Sequence, residues 1–538
     1  MPKGPLIAAV AAATCLLAPA GASAATIAKS GGVVTYTAAP GERNLILLSQ
    51  SSGNTVVQDD GGNPLTSDGS CTVAGSVANC GVATGVQLLL GDRDDSLALS
   101  TAPLSAATAI RVDAGPGNDT LTDQPGPDTY LGGPGNDSFV NGAPDGYPDA
   151  FAGGDGRNSV SYFGSADVRI TADGVADDGT AGEGDNVGTD VEDLFGGDGD
   201  DVIVGTDAAN TLVGGAGNDF IEGRGGDDNL AGGDGDDTMR GGAGADAVSG
   251  DAGDDALYGE AGGDTLAGGA GADALYGGDD GDLLSGGDGA DALTGEGGDD
   301  TLSGGQGADA MSGGAGSDTV TYEGLDVPVR VTLDGAADDG AAGEGDNAQA
   351  DVENIVGSDK NDVLSGSAAA NSITGGPGND TIDVRDHGPD EVSCGTGLDS
   401  VVADASDAID PSAGTCEAVD LGRVAGLGRR VTLAAGSGRV TGGRATLRLR
   451  CPLDAMGGCA GAVTLSARGL GRIGRASFQA PAGGTVTVRV RLAKKALRRL
   501  PAPRGGHRPR RLRTTVGIVA RDARAPLGVV AAQLALRR

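Results

Sequence analysis

Acidic side chains recur every nine residues over a long stretch of this chain. Residues 196–321 divide without insertion into fourteen nine-residue units, each with Asp or Asn at its sixth position. Rows of carboxylate oxygens select hard cations such as Ca²⁺, because softer metals prefer nitrogen or sulfur ligands. The sixth positions, which we predict to be calcium ligands wherever they are Asp, are Asp201, Asn210, Asp219, Asp228, Asp237, Asp246, Asp255, Asp264, Asp273, Asp282, Asp291, Asp300, Asp309 and Asp318.

The spacing also predicts the elements that position these acids. The glycine-rich half of each unit, GGxGxD, is typical of a turn, because glycine adopts positive φ and allows close backbone approach. The other half, xUx, indicates a short strand whose aliphatic residue points inward. Two units make one 18-residue coil, and coils stacked about 4.8 Å apart form parallel sheets. The predicted core residues are Ile203, Leu212, Ile221, Leu230, Met239, Val248, Leu257, Leu266, Leu275, Leu284, Leu293, Leu302, Met311 and Val320.

The charge of this block indicates that it needs a counter-ion. Residues 196–321 contain 28 acidic residues against two arginines. Stacked carboxylates repel one another, and one buried aliphatic per unit contributes only about 1.5–3 kcal/mol. Seven coils leave space for about twelve cations between successive turns. We therefore expect metal binding and folding to be one event.

Further units flank this block. Upstream units give Asp119, Asp128, Asp137 and Asn158 at the sixth position, and downstream units give Asp362, Asn371 and Asp380. We predict that Asp119, Asp128, Asp137, Asp362 and Asp380 are also calcium ligands.

A second internal repeat is a duplicated block. Residues 161–197 align with residues 321–358 and share the core DDGxAGEGDN. One hypothesis is an additional cation loop built from Asp177, Asp178, Glu183 and Asp185. The favoured alternative is a β-hairpin insertion that caps or bends the coils and carries solvated acids.

The nine-residue units resemble the repeat-in-toxin (RTX), or hemolysin-type, calcium-binding nonapeptide GGxGxDxUx, best matched at 214–222 and 232–240. The resemblance implies a right-handed parallel β-roll that binds several Ca²⁺ in its turns through the sixth-position Asp. Asn210 departs from the pattern, as do turns without a second Gly. Inserts like the duplicated block accompany such repeats in secreted actinobacterial-type proteins.

The N-terminus and the cysteines indicate export. Lys3, an apolar run from Leu6 to Leu17 and the small residues before Ala25 are typical of a signal peptide cleaved after Ala24. Six cysteines then remain, and their proximity favours pairs 71–80, 394–416 and 451–459, although six cysteines allow 15 pairings. Disulfides indicate an oxidising, extracellular setting.

The two ends of the mature chain predict different domains. Alternating patterns at 33–38, 44–49, 54–59 and 86–92 indicate a small β cap, since solenoids must cover their ends. Residues 421–538 hold 25 basic and two acidic residues and alternate at period two, which favours an Ig-like or fibronectin-like β-sandwich.

The fold class is thus all-β, a β-roll with a cap and a sandwich-like end. The predicted segments are 1–24 signal peptide, 25–110 cap, 111–161 interrupted repeats, 162–195 insert, 196–321 uninterrupted repeats, 322–356 second insert, 357–420 repeats closed by a disulfide, and 421–538 basic domain.

Composition and missing motifs exclude several classes of function. Trp is absent, Tyr and Phe number 7 and 6, and the net charge is −39, which is unlike a typical enzyme of this length and argues against nucleic-acid binding. HExxH, GxSxG and Walker A motifs are absent, and so is an apolar stretch long enough to span a membrane in the mature chain. We expect a secreted, non-enzymatic calcium-binding protein with a structural or adhesive role, whose basic end contacts an anionic cell-wall polymer or polysaccharide. The alternatives are a hemolysin-like toxin or colonisation factor, an ice- or polysaccharide-binding solenoid, and an unrecognised carbohydrate-active enzyme.

Overall fold

The computed structural model describes residues 24–409 except 62–63, 101, 107, 143, 165 and 405, and beyond these Cys416 and the backbone of strands between 416 and 537. The predicted signal peptide and the pair 451–459 lie outside the described residues. The chain divides into two compact units, Met1–Arg224 and Gly225–Arg538. Every regular element of the described residues is a strand, and none of them forms a helix that could cross a membrane.

Parallel strands one coil apart build the first unit. One sheet contains Ala25–Ser30, Val33–Thr37, Leu65–Ser67, Gly85–Leu89, Ala109–Asp113, Thr129–Leu131, Ala150–Ala152 and Asn186–Val187. A second contains Leu45–Ser51, Asn54–Asp59, Thr72–Ala74, Val77–Asn79, Ser96–Ala98, Thr120–Thr122, Ser138–Asn141, Ser159–Tyr162, Asp193–Phe195 and Thr211–Ala216. A third contains Val168–Thr171, Gly179–Thr180, Val202–Val204 and Phe220–Gly225.

The second unit continues the same pattern. Its first sheet contains Asn229–Asp234, Ala247–Ala252, Thr265–Ala270, Leu283–Gly289, Thr301–Gly307, Thr319–Thr321, Asn354–Val356, Ser372–Thr374, Glu391–Ser393 and Ala408–Ile409. Its second contains Thr238–Ala243, Ala256–Ala261, Ala274–Asp279, Ala292–Gly297, Ala310–Ala315 and Asn347–Ala348. A third begins with Val329–Thr332, Gly340–Ala341, Val363–Ser365, Thr381–Val384 and Asp399–Ala403, and Pro377–Gly378 pairs with Thr396–Gly397. The predicted parallel β-solenoid is confirmed.

The last part of the chain forms longer strands that pair mainly antiparallel. They are Cys416–Leu421, Thr432–Leu433, Ser437–Thr441, Arg444–Arg450, Cys459–Ala467, Gly471–Ala480, Thr485–Arg491, Leu512–Arg521 and Pro526–Arg537. Their arrangement as a two-layer sandwich stays a prediction.

Stacking makes the central strands longer than predicted. A strand such as Thr265–Ala270 includes the three-residue xUx half and the first three residues of the next unit. Gly269 pairs in register with Asp251 on one side and with Gly287 on the other. Backbone pairing with two neighbours therefore draws part of the glycine-rich half into the sheet, and the turn shrinks to about three residues.

The N-terminal residues attach directly to the solenoid. Antiparallel hairpins such as Leu45–Ser51 with Asn54–Asp59 are present, as predicted for a cap. However, Val33–Thr37 pairs parallel with Gly85–Leu89, which pairs parallel with Ala109–Asp113. Parallel pairing thus begins before the predicted boundary at residue 110. The disulfide Cys71–Cys80 in this region is confirmed, and so is Cys394–Cys416 in the second unit.

Each duplicated block contains a hairpin and also strands of the solenoid. In the first copy, Val168–Thr171 pairs antiparallel with Gly179–Thr180 and parallel with Val202–Val204. In the second copy, Val329–Thr332 makes the equivalent pairs with Gly340–Ala341 and Val363–Ser365. The predicted β-hairpin is confirmed, and it sits on coils that continue through the block.

The predicted core is buried throughout. None of the fourteen eighth-position aliphatics is more than 2% exposed. They line up one above another because register pairs them across successive coils, for example Leu266 with Leu284 and Leu284 with Leu302.

We expect Leu284→Ala to lower the free energy of unfolding by about 2–5 kcal/mol, because it leaves a cavity in a fully buried row. The neighbouring Leu283 is 47% exposed, so Leu283→Ala is the matched control and should change stability by about 0.5 kcal/mol or less. Urea unfolding of both variants in calcium measures the difference, and equal losses would contradict the inward assignment.

Candidate metal centre

The sixth-position side chains lie where each turn meets its strand. All eighteen aspartates predicted as ligands are buried. Most of these turns have glycine at the fourth position. Gly253 has φ of +144°, and a Cβ there would lie 2.0 Å from the carbonyl oxygen of Gly235, one coil earlier. At Gly253 only glycine permits this close stacking of successive coils.

A hydrogen bond links each sixth-position residue to the next coil. The backbone N–H of Asp246 donates to Oδ1 of Asp264 at 2.8 Å, and that of Asp264 donates to Oδ1 of Asp282 at 2.7 Å. The other edge repeats this with Asp255 and Asp273 at 2.9 Å. We call each such row an aspartate ladder. It fixes one oxygen of every carboxylate and places the acids on two edges, as predicted.

The second carboxylate oxygen has no such donor. Within the described part of the chain, Oδ2 is buried without a hydrogen-bond partner at Asp119, Asp137, Asp246, Asp255, Asp264, Asp273, Asp282, Asp291, Asp300, Asp309, Asp318 and Asp380. Leaving one buried acceptor unsatisfied costs about 1–3 kcal/mol, and more when the group is charged. Because the unsatisfied Oδ2 atom recurs in successive coils, its energetic cost is the dominant electrostatic feature of the solenoid.

A backbone carbonyl faces the same space as this oxygen. A Cβ placed on Gly268, the first residue of its unit, would lie 2.3 Å from Oδ2 of Asp273 and 2.6 Å from the carbonyl oxygen of Gly286. The next unit repeats the pattern with Gly286, Asp291 Oδ2 and the Gly304 carbonyl. Carboxylate and carbonyl oxygens from successive coils thus converge. This all-oxygen donor set fits Ca²⁺, whose flexible coordination tolerates such mixtures.

Burial changes the acidity of these groups. Desolvation, followed by neighbouring carboxylates, raises the pKa of Asp255 to about 6 and that of Asp282 to about 7. Upstream, burial and the charge of Asp137 raise the pKa of Asp119 to about 7. The folded protein without a counter-ion therefore resists full ionisation of its ladders.

Two predicted ligands accept backbone N–H groups at both carboxylate oxygens. Oδ2 of Asp201 accepts a hydrogen bond from the backbone N–H of Gly197 at 2.7 Å, and Oδ2 of Asp362 accepts one from Ser358 at 2.8 Å. Their Oδ1 atoms also accept backbone N–H groups, from Val168 and Val329 respectively. Both carboxylates are thus satisfied by protein donors, and we do not retain them as proposed ligands.

The ladders also contain acids that the repeat pattern missed. The backbone N–H of Asn44 donates to Asp95, and that of Asp95 donates to Asp119. In the same way, the backbone N–H of Asp128 donates to Asp149, and that of Asn371 donates to Asp390. Asp399 follows Asp380 in the same way. Their turns depart from GGxGxD, so a search for the whole unit passes over them. A shorter signal, Asp followed two residues later by a large apolar residue, identifies all four: Asp95 with Leu97, Asp149 with Phe151, Asp390 with Val392 and Asp399 with Val401.

Three carboxylates meet at one upstream turn. Oxygens of Asp123, Asp128 and Asp149 lie within 4.8 Å of one another, and all three residues are buried. Asp123 occupies the first position of its unit, where glycine is usual, so its carboxylate adds to the ladder pair. Burial and the neighbouring carboxylates, Asp123 first, raise the pKa of Asp149 to about 10. Within the described residues, this is the one group of three carboxylates whose oxygens lie so close together.

Three of the four acids named in the first duplicated block, Asp178, Glu183 and Asp185, are buried, so the prediction that they are solvated is wrong. Asp178 is buried and accepts hydrogen bonds from Thr171 and from Val187 N–H. Asp185 accepts bonds from Asp149 N–H and Tyr162 OH. Asp177 is exposed and pairs with Arg169 at 3.3 Å. These contacts tie the hairpin to the coils and do not gather the four acids into one cation loop.

In chelator, we expect the β-structure of the metal-free chain to decrease as pH rises from 4 to 8. Ladder pKa values of about 6 to 7 exceed the unfolded value of about 3.9, so folding favours the protonated acids and loses stability as they ionise. Circular dichroism in EDTA across this range measures the effect, with a calcium-saturated sample as control. Structure that increases with pH in chelator would contradict the burial of these carboxylates.

Comparison with known proteins agrees with this geometry. No curated protein matched the chain. The family model of the RTX calcium-binding nonapeptide repeat matches residues 111–139, 195–230, 222–257, 249–284, 258–293, 285–320 and 350–384. The matched stretches coincide with coils whose ladders are described above, and the repeats bind multiple Ca²⁺. The chain is therefore an RTX-type calcium-binding repeat protein with a β-roll fold.

Proposed function

We propose that this protein is secreted and non-enzymatic, that it folds as it binds calcium, and that it serves a structural or adhesive role at the cell surface or in the extracellular matrix. The observation that carries the proposal is the row of buried Oδ2 atoms without hydrogen-bond partners in successive described coils. A cation supplied from outside satisfies many carboxylates at once while they stay ionised, and extracellular calcium is abundant enough for weak sites.

The proposed ligands are the ladder aspartates other than Asp201 and Asp362. From the repeat pattern they are Asp119, Asp128, Asp137, Asp219, Asp228, Asp237, Asp246, Asp255, Asp264, Asp273, Asp282, Asp291, Asp300, Asp309, Asp318 and Asp380, and the ladder adds Asp95, Asp149, Asp390 and Asp399. Bound Ca²⁺ supplies positive charge between rungs, which removes the repulsion that the buried carboxylates otherwise impose.

Secretion is supported by the cysteines. The bonds Cys71–Cys80 and Cys394–Cys416 form in the structure, and disulfides persist mainly in oxidising compartments. The charged, apolar and small-residue regions before Ala25 support the same conclusion. A chain exported unfolded in low calcium and folded outside would use the calcium difference between compartments.

We expect the mature chain, residues 25–538, to lose most of its central β-structure in EDTA and to regain it with calcium at a midpoint of about 10⁻⁴–10⁻³ M. Circular dichroism during a Ca²⁺ titration measures this, and a Mg²⁺ titration is the control because Mg²⁺ demands a tighter octahedral site. An unchanged spectrum with and without chelator would refute calcium-coupled folding.

We also propose that the basic region 421–538 binds an anionic cell-wall polymer or polysaccharide. Its 25 basic residues against two acids support this, and HRPRRLR at 507–513 is its densest basic run. Attachment at this end would leave the β-roll exposed outside the cell wall.

The triple variant Arg508→Gln, Arg510→Gln and Arg511→Gln should elute from a polyanion column at roughly half the salt concentration of the wild type, because fewer counter-ions are released on binding. The control is Arg169→Gln in the roll, which should leave elution unchanged. Identical elution of all three proteins would argue against polymer binding by this run.

A further inference from the structure

The turns of this β-roll are of two kinds, which differ at the sixth-position side chain. In one kind, called open here, Oδ2 is buried without a hydrogen-bond partner, as at Asp246 and the eight following sixth positions to Asp318. In the other kind, called closed, the backbone N–H of the second position donates to the sixth-position side chain. The four closed turns found in the described residues end at Asp201, Asn210, Asp362 and Asn371, with distances of 2.7, 2.7, 2.8 and 2.7 Å.

The backbone explains the difference. In the open turn before Asp246, Gly242 and Gly244 have φ of +116° and +149°. These conformations turn the second-position N–H of an open turn into the sheet, where it pairs with the next coil. Three of the four closed turns place side chains at the same two positions, Thr206 and Ala208 in one case, and the fourth has Gly197 and Gly199 there. None of these residues has φ in the left-handed region. Backbone conformation at the second position therefore separates open turns from closed ones, and side chains at both positions accompany three of the four closed turns.

A hydroxyl strengthens three of the four closed turns. Thr206 Oγ1 accepts the N–H of Ala208 at 3.2 Å, and Ser367 Oγ accepts that of Ala369 at 3.2 Å. Ser358 Oγ does the same for Lys360 at 3.1 Å. The turn is thus held by its own side chains, in the manner of Ser/Thr turns.

The two asparagines complete a neutral version of the turn. Asn210 Nδ2 donates to the carbonyl of Glu192 at 2.8 Å, and Asn371 Nδ2 donates to the carbonyl of Glu353 at 2.8 Å. An amide both accepts from its own turn and donates to the coil before it, which a carboxylate cannot do. These rungs therefore need no counter-ion.

The closed turns directly follow the duplicated blocks, whose buried acids are also satisfied by protein donors. Oδ2 of Asp185 accepts the hydroxyl of Tyr162 at 3.0 Å, and Oδ2 of Asp346 accepts that of Tyr322 at 3.1 Å. Asp339 accepts bonds from Thr332 and Ala348, which repeats the contacts of Asp178. Each block with its two closed turns, residues 162–213 and 322–374, forms what we call a closed segment.

We propose that the two closed segments fold without calcium and serve as fixed ends for the calcium-dependent coils that lie between them in the chain. Forming the first coil of a solenoid is unfavourable because it has no neighbour on which to pair, whereas later coils add to an existing surface. A closed segment supplies that surface before calcium arrives. Within the second unit, calcium then has to order the open turns of residues 241–321 against the coils of the closed segment at 322–374.

This inference rests on the proposed calcium-coupled folding, and hydrogen–deuterium exchange of the full mature chain separates the two ideas. In EDTA, amides of Val202–Val204 and Val363–Ser365 should exchange roughly tenfold or more slowly than those of Ala256–Ala261 and Ala292–Gly297. Calcium should then protect the latter pair. Equal exchange of all four strands in EDTA, followed by protection with calcium, overturns the closed segments alone. Exchange that calcium does not change anywhere overturns the proposed function itself.

A matched pair of isosteric variants tests the assignment at single turns. Asp264→Asn removes a charge from an open turn and should raise the calcium midpoint roughly threefold or more, with fewer ions bound by equilibrium dialysis. Asp362→Asn removes the same charge from a closed turn, so the midpoint should stay within about twofold, while Val363–Ser365 loses protection in EDTA because an acceptor is lost. Equal midpoint shifts for both variants, or a larger shift for Asp362→Asn, would overturn the proposal.

Discussion

The whole roll depends on how the second oxygen of each buried sixth-position carboxylate is satisfied. The first oxygen is fixed by the backbone N–H one coil away, as between Asp246 and Asp264. That bond sets the spacing of the coils and at the same time holds the carboxylates close enough to repel. The spacing that gives the sheets their register therefore also creates the need for a cation or for another donor.

Glycine links packing to ligand geometry. A side chain at Gly268 would collide with both Asp273 Oδ2 and the Gly286 carbonyl, which are the oxygens that converge between coils. The same residue type thus allows the close approach and exposes the carbonyls that share a cation. Where glycine is replaced at the second and fourth positions, as at Thr206 and Ala208, the turn changes and the carboxylate or amide finds a donor within the protein.

The strict phase of the nonapeptides was sufficient to predict the solenoid, its buried row of aliphatics and the two acid edges, because one period controls all three. It could not predict that strands such as Thr265–Ala270 continue through glycine residues, since stacking against two neighbours imposes that pairing and local propensity opposes it. Nor could it separate Asp201 from Asp264. Both are sixth-position aspartates, and the difference lies in the backbone path of the preceding four residues.

The duplicated blocks gain a physical meaning from this distinction. A one-dimensional array of identical open turns has no preferred end, so its repulsion and its dependence on calcium would extend over the entire length. At two points in the chain, two successive rungs are an aspartate satisfied by protein donors and an asparagine: Asp201 with Asn210, and Asp362 with Asn371. These rungs remove the repulsion and the dependence on calcium at defined points. The chain repeats the same substitutions, the same tyrosine–aspartate bond and the same hairpin in both copies. Such repetition of many independent contacts is what a device for ending the calcium-dependent block requires, and an insertion that merely decorates a loop would not need it.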